Sequence, residues 1–149
     1  MDYRTAFAIS AAGMQVEQTR FNISALNLAN ANSTMGADGR VYRAQRVITS
    51  AGSGNIGGFN QVYTAWKNAN AGLAGPHVED VVEQNLAPRR VLDPGHPAAD
   101  EKGFVELPGV NPATEMVTLM NSLRAYEANV VAMNAAKSMT LKALEIGGK

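Results

Sequence analysis

From Pro112 to Ile146 the chain carries no further proline and no glycine until Gly147. That run constrains the fold more than any other stretch. Asn111 can cap a helix through its side-chain oxygen, and Pro112 suits the first helical position, where no N–H bond is lost. Apolar residues then recur at helical spacing: Met116, Leu119, Leu123, Tyr126, Val130, Met133 and, past Lys137 and Thr140 in the same register, Leu144. A second apolar side carries Val117, Met120, Val131 and Leu141. The spacing predicts one helix over Asn111–Ile146, roughly 50 Å long at 1.5 Å per residue, well beyond the usual globular range. A helix of that length with two apolar sides needs partners.

The opening of the chain predicts the first of them. Residues from Tyr3 to Asn30 include one glycine, Gly13, and no proline. Ile9, Val16 and Ile23 repeat every seven residues, with Ala12, Thr19 and Leu26 three further on, which is the a/d pattern of a coiled-coil seam. Phe7, Met14, Phe21 and Leu28 repeat at the same interval roughly opposite, where a surface helix would be polar. Apolar stripes on two sides call for cover from two directions. Both ends are therefore expected to order on assembly rather than in the free chain. The run Asn27–Gly39 is rich in Asn and Gly, which favour turns and left-handed backbone, so the helix should stop near Asn30 or Asn32.

The middle of the chain reads as loop and strand. Asp38-Gly39 signals a turn, followed by a strand over Val41–Thr49 that carries Arg40, Arg43 and Arg46 at its start and within it. Those arginines read more simply as solvent-exposed side chains than as a site for an acidic partner. The stretch Ala51–Gly58 has the most flexible composition in the chain, but lacks the Gly-Lys-Ser/Thr ending of a phosphate-binding loop. Trp66 fits either an interface anchor or local packing. From His77 to Pro108 short apolar runs predict β structure: Val78 with Val81 and Val82, then Val91-Leu92, then Phe104–Leu107. Prolines at 88, 94, 97 and 108 confine these strands to short or edge positions.

Composition then removes several classes of function. Thirteen basic and thirteen acidic residues cancel, leaving no electrostatic footprint for nucleic acid or an anionic membrane. The absence of cysteine excludes disulfides, thiol catalysis and thiolate metal sites, and suits life outside a reducing compartment. No run approaches the ~18 consecutive apolar residues of a membrane-spanning helix. Met1–Thr5 lacks the basic and apolar regions of a secretory signal, so any export is expected to leave that end uncut. His96 with Asp93 and Asp100 could be drawn as a metal or acid–base site. The Asp93-Pro94-Gly95-His96-Pro97 turn accounts for them more simply, and no nucleophile–base–orienter set emerges. No cofactor and no enzymatic activity are expected.

Two end motifs resemble a known family. Asn22–Ser33 is similar to the N-terminal signature of the bacterial flagellar rod and hook axial proteins. Glu115-Met116-Val117 and Arg124-Ala125-Tyr126-Glu127-Ala128-Asn129 resemble their C-terminal signature. Gly36–Ala44, Asp93–Asp100, Gly103–Val105, Leu107–Val110 and Lys137–Leu144 are similar to the proximal-rod branch of that family. The chain departs from the pattern between Ala51 and Gly75, and more slightly at Gly109, where relatives often carry asparagine.

The resemblance implies an α+β fold in which long N- and C-terminal helices pack as a coiled coil and carry a small β-rich middle domain. The implied divisions are an N-terminal rod helix over 1–32, a loop and middle domain over 33–110, and a C-terminal rod helix over 111–149. It implies a structural subunit of the proximal rod, polymerising through its terminal helices into the motor's drive shaft and crossing the periplasm. Its partners would be itself, other rod proteins and the flagellar type III export apparatus, with no nucleic acid and no membrane insertion. The expected assembly residues are Phe7, Ile9, Met14, Val16, Phe21, Ile23, Leu26, Leu28 and Asn30 at one end. At the other they are the two α-helical series named above, with Asn111 and Pro112 as the cap. Asn129, Asn134 and other polar seam residues could set register between subunits. The competing readings are a secreted helical adaptor closing on one partner and a small hydrolase using His96.

Overall fold

The computed structural model describes residues 3–36, 39–52 and 74–147 of the chain. Asp38, most of the glycine-rich stretch and Trp66 fall outside them. The element order is α1 (Tyr3–Ala29), β1 (Gln45–Gly52), β2 (Ala74–Glu83), β3 (Arg89–Leu92), β4 (Phe104–Leu107) and α2 (Pro112–Gly147). Two long helices thus flank two small sheets, an α+β arrangement. β1 pairs with β2, and β3 pairs with β4 antiparallel, with Val91 opposite Val105.

The helices occupy the runs that lack breakers. α1 spans 27 residues and α2 spans 36. At the start of α2, Asn111 Oδ1 accepts from the backbone N–H of Ala113 at 3.0 Å and, more weakly, of Thr114 at 3.4 Å. Pro112 follows at the first helical position, where its missing N–H leaves no bond unmade. The end of α1 departs from expectation in its mechanism. No residue other than glycine adopts positive φ among the described residues, so Asn30 and Asn32 do not end the helix in a left-handed cap. Instead Asn30 Nδ2 donates back to the Leu26 carbonyl at 2.9 Å, and Ser33 donates from N–H and hydroxyl to the Asn30 carbonyl. Side-chain bonding replaces the left-handed turn in closing the last carbonyls.

Packing divides the chain into two compact units. The first comprises Met1–Thr19, Thr49–Glu79 and Leu123–Lys149. In it, Gly13 of α1 faces Asn129 of α2 so closely that a Cβ would lie 2.9 Å from the amide oxygen. Gly75 of β2 meets the same helix beside Ala12 and Ile9, with a Cβ-to-Ala12 distance of 2.7 Å. Val16 and Ala136 are buried here.

The second unit comprises Arg20–Ile48 and Asp80–Ser122. Ala31, Ala44 and Val110 form its core with Tyr42 packed against them, and Val105 and Pro108 are buried as well. The strand expected over Val41–Thr49 begins only at Gln45, with Tyr42 and Ala44 before it drawn into this core. Gly109 is no minor departure in this setting. An added Cβ would lie 2.5 Å from the Ala87 carbonyl oxygen and 2.9 Å from Leu86 Cβ, so the backbone of 86–87 occupies the space a side chain would need.

Candidate assembly surface

The sheltered face of α2 is made mostly of small and polar residues. Ser122 and Ala136 are buried, and Glu115, Thr118, Ala125, Asn129, Met133 and Thr140 are half-buried on the same side. Their spacing of three and four residues traces one stripe along the helix. On this stripe Thr118, Asn129 and Thr140 each donate to the carbonyl four residues back, so the two threonine hydroxyls need no acceptor across it.

The large apolar side chains lie on the opposite face. Met116, Val117, Met120, Leu123 and Val131 are exposed there, and Tyr126, Met139, Leu141, Leu144 and Ile146 are exposed further round or further along. Val131 and Leu144 each keep 67% of their area open, and Ile146 keeps 81%. Of the seam expected from Met116, Leu119, Leu123, Tyr126, Val130, Met133 and Leu144, only Leu119, Val130 and Met133 are half-buried. At 100° per residue the sheltered stripe sits about 80° round the helix from that seam. Hydrophobic periodicity points to the largest side chains, whereas close backbone approach selects the smallest, and here the two criteria disagree. Removing water from an open methionine- and leucine-rich face gains about 25 cal/mol per Å² of apolar area, so leaving it in water is costly.

α1 is covered differently. Gly13, Val16, Ser24 and Asn27 form its buried stripe, while Phe7, Met14, Phe21 and Leu28 on another side are all half-buried. Ile23 is half-buried, and Ile9 and Leu26 are partly open. Its exposed face runs through Ala8, Ala11, Gln15, Gln18, Asn22 and Ala29, small or polar residues, with Leu26 the large apolar side chain among them. Of the two long helices, α2 presents the bulky apolar surface.

The middle of the chain carries polar detail rather than chemistry. Arg90 reaches Glu106 at 3.1 Å across β3 and β4, and Arg43 lies 3.8 Å from Glu83. Both pairs are exposed, and such pairs contribute about 0.2–1 kcal/mol each. An open hollow of about 890 Å³ in the second unit is lined by polar groups including Asn30, Arg43, Glu83, Asn85 and Glu106. In the β3–β4 loop, His96 Nδ1 accepts the Ala98 N–H at 3.0 Å, and Asp100 Oδ1 accepts those of Lys102 and Phe104. The Asp93 carbonyl accepts from His96. These bonds hold the loop's own turns, the role that turn chemistry assigns to such residues.

Comparison with known proteins places the chain in a family. Residues 101–146 match the family described as flagellar basal body rod FlgEFG protein, C-terminal, which covers most of that helix. Over 141 residues the chain is 39% identical to the flagellar basal-body rod protein FlgC of Escherichia coli O6:H1, spanning 95% of each. The chain belongs to the FlgC family of flagellar basal-body rod proteins. The FlgC protein of Salmonella typhimurium is 37% identical over 95% of both chains. That of Bacillus subtilis is 36% identical over 93% of this chain and 94% of its own. These FlgC relatives are structural rod proteins by name, and nothing in the comparison points to an enzyme. Similarity spans both long helices and the strands between them, so the FlgC assignment covers the whole arrangement described above.

Proposed function

We propose that this FlgC-family chain is a structural subunit of the proximal flagellar rod, polymerising through α1 and α2 into the motor's drive shaft. One observation carries the proposal. The bulky apolar side chains of α2 lie on its open face, opposite a sheltered stripe of small and polar residues. A single chain leaves that face in water; packed copies in a rod would bury it. In this reading α1 and α2 pair as a coiled coil, with residues 1–32 and 111–149 forming the shaft and 33–110 facing outward. The assembly residues are those of both apolar series; Asn30 and Asn129 are engaged within the chain, Asn30 on the Leu26 carbonyl and Asn129 against Gly13.

The partners are further copies of the chain and other flagellar rod proteins. Export proceeds through the flagellar type III apparatus with the N-terminus left uncut, into the part of the basal body that crosses the periplasm. Balanced charge argues against a nucleic-acid partner. Among the described residues no helix is long and apolar enough to cross a membrane. Open helical contacts separate this reading from an adaptor that saturates in a closed complex.

The test is substitution of Leu123 or Val130 by aspartate. Leu123 is 45% exposed, so the charge stays hydrated in the free subunit. In a packed rod the carboxylate would lose its water without a partner, at a cost of several kcal/mol. Swimming should be abolished while the protein is still exported. Normal motility with either variant would contradict the assigned surface.

A further inference from the structure

We propose that Asn27 is a latch, its carboxamide standing in for a neighbouring strand and fastening the end of α1 to the start of β1. Asn27 is 1% exposed, among the most deeply buried large side chains described. Its Nδ2 donates to the Gln45 carbonyl at 2.9 Å, and its Oδ1 accepts the Gln45 N–H at 2.8 Å. One side chain thereby satisfies both backbone groups of one residue, the pairing that a hydrogen-bonded residue on an adjacent strand makes. The Tyr42 hydroxyl donates to the same Oδ1 at 2.8 Å, filling the second lone pair.

The neighbouring bonds show why this position matters. On the β2 side, the Gln84 N–H donates to the Ala44 carbonyl at 2.7 Å, and Gln84 Nε2 lies 3.4 Å from the Gln45 carbonyl. The beginning of β1 is therefore held by the backbone and side chain of Gln84, the residue just after β2, and by the helix through Asn27. Three residues on, Asn30 turns back to close the helix, and Asn32 Oδ1 accepts from Arg89 of β3 at 3.1 Å. The three asparagines divide the work: one grips β1, one ends α1, one reaches β3. The Asn32 contact is exposed, whereas the Asn27 contact is buried and its loss strips the Gln45 N–H and the Tyr42 hydroxyl of these partners and leaves the Gln45 carbonyl only the longer contact to Gln84.

The latch is read from the fold alone and does not depend on the rod reading, although the assembled particle is the best place to measure it. Hydrogen exchange would be followed across Arg43–Val47 in full-length chain within purified basal bodies, for Asn27→Leu, Tyr42→Phe and Asn32→Ala. Asn27→Leu keeps the volume and removes every bond. Exchange at Gln45 should rise about tenfold or more, while amides in the middle of α1 stay protected. Tyr42→Phe should raise it several-fold, and Asn32→Ala should leave it unchanged. If Asn27→Leu is not incorporated, Tyr42→Phe decides. Unchanged exchange at Gln45 in the variants recovered, or α1 opening together with β1, would overturn the latch. Absence of the wild-type chain from basal bodies would instead count against the rod reading, and the same exchange comparison on the isolated full-length chain would then decide the latch.

Discussion

Replacing Gly109 by alanine tests the packing of the second unit at its tightest point. The new methyl would lie 2.5 Å from the Ala87 carbonyl oxygen, 2.9 Å from Leu86 Cβ and 3.4 Å from the Ala87 carbonyl carbon. The first of these is a backbone atom, which no rotamer change can move. Pro108 and Val110 on either side are buried, so residue 109 has little room to retreat. Overpacking of this kind costs about 1–3 kcal/mol. Against it, alanine restricts the unfolded chain and returns about 0.4–1 kcal/mol. The net expectation is a loss of about 1–2 kcal/mol, concentrated where the 86–87 segment meets the strand that precedes α2. Urea titration of the full-length chain, read by hydrogen exchange across 84–110, would show a lowered midpoint in that region. Stability equal to wild type, or a gain of the size expected from chain restriction alone, would refute the packing argument.

Two further outcomes follow from single contacts. Tyr42 is held above the ordinary phenol value of 10.0, first by burial and then by the carboxylates of Glu115 and Glu83. Because the folded state holds the phenolic proton more tightly than the unfolded chain does, its contribution is complete below the unfolded value. It is lost as pH rises through the folded one, so denaturation midpoints should fall above about pH 10 and Tyr42→Phe should flatten that slope. Gly13→Leu should weaken the contact between α1 and α2 by about 1–3 kcal/mol in a thermal melt. Gly13→Ala meets only the end of the Asn129 amide, and gains about 1 kcal/mol of helix propensity, so it should be near neutral.

The long helices were legible because nothing breaks them: the glycine- and proline-free run after Pro112 became α2, and the run from Tyr3 became α1. The short valine-rich runs became β2 and β3, and Phe104–Leu107 became β4, for the same reason of bounded apolar segments. What pattern reading missed were positions decided by tertiary contact. Gln45 rather than Val41 begins β1, since Tyr42 and Ala44 enter the core and Asn27, eighteen residues earlier, bonds both backbone groups of Gln45; no local propensity encodes those contacts. Asn27 itself reads as part of a stop signal, yet lies inside α1 and is buried. Likewise the sheltered stripe of Ser122, Asn129 and Ala136 is invisible to a search for apolar periodicity. Its members are distinguished by small size, and Asn129 turns its amide back to the Ala125 carbonyl. The clue available in advance was Gly13, since an unforced glycine inside a long helix marks a close approach.

The chain has no cysteine, which allows the central claim to be tested by placing one thiol at a time. Val131→Cys, Met120→Cys and Leu144→Cys would be exposed to a thiol-reactive label in the free subunit and in purified basal bodies, with Glu101→Cys on the β3–β4 loop as the exposed reference. If the open face of α2 is the polymerisation surface, the three helix positions should label readily in the free chain. They should be protected in the rod, while position 101 labels in both. Equal labelling of the helix positions in the two states would contradict the account.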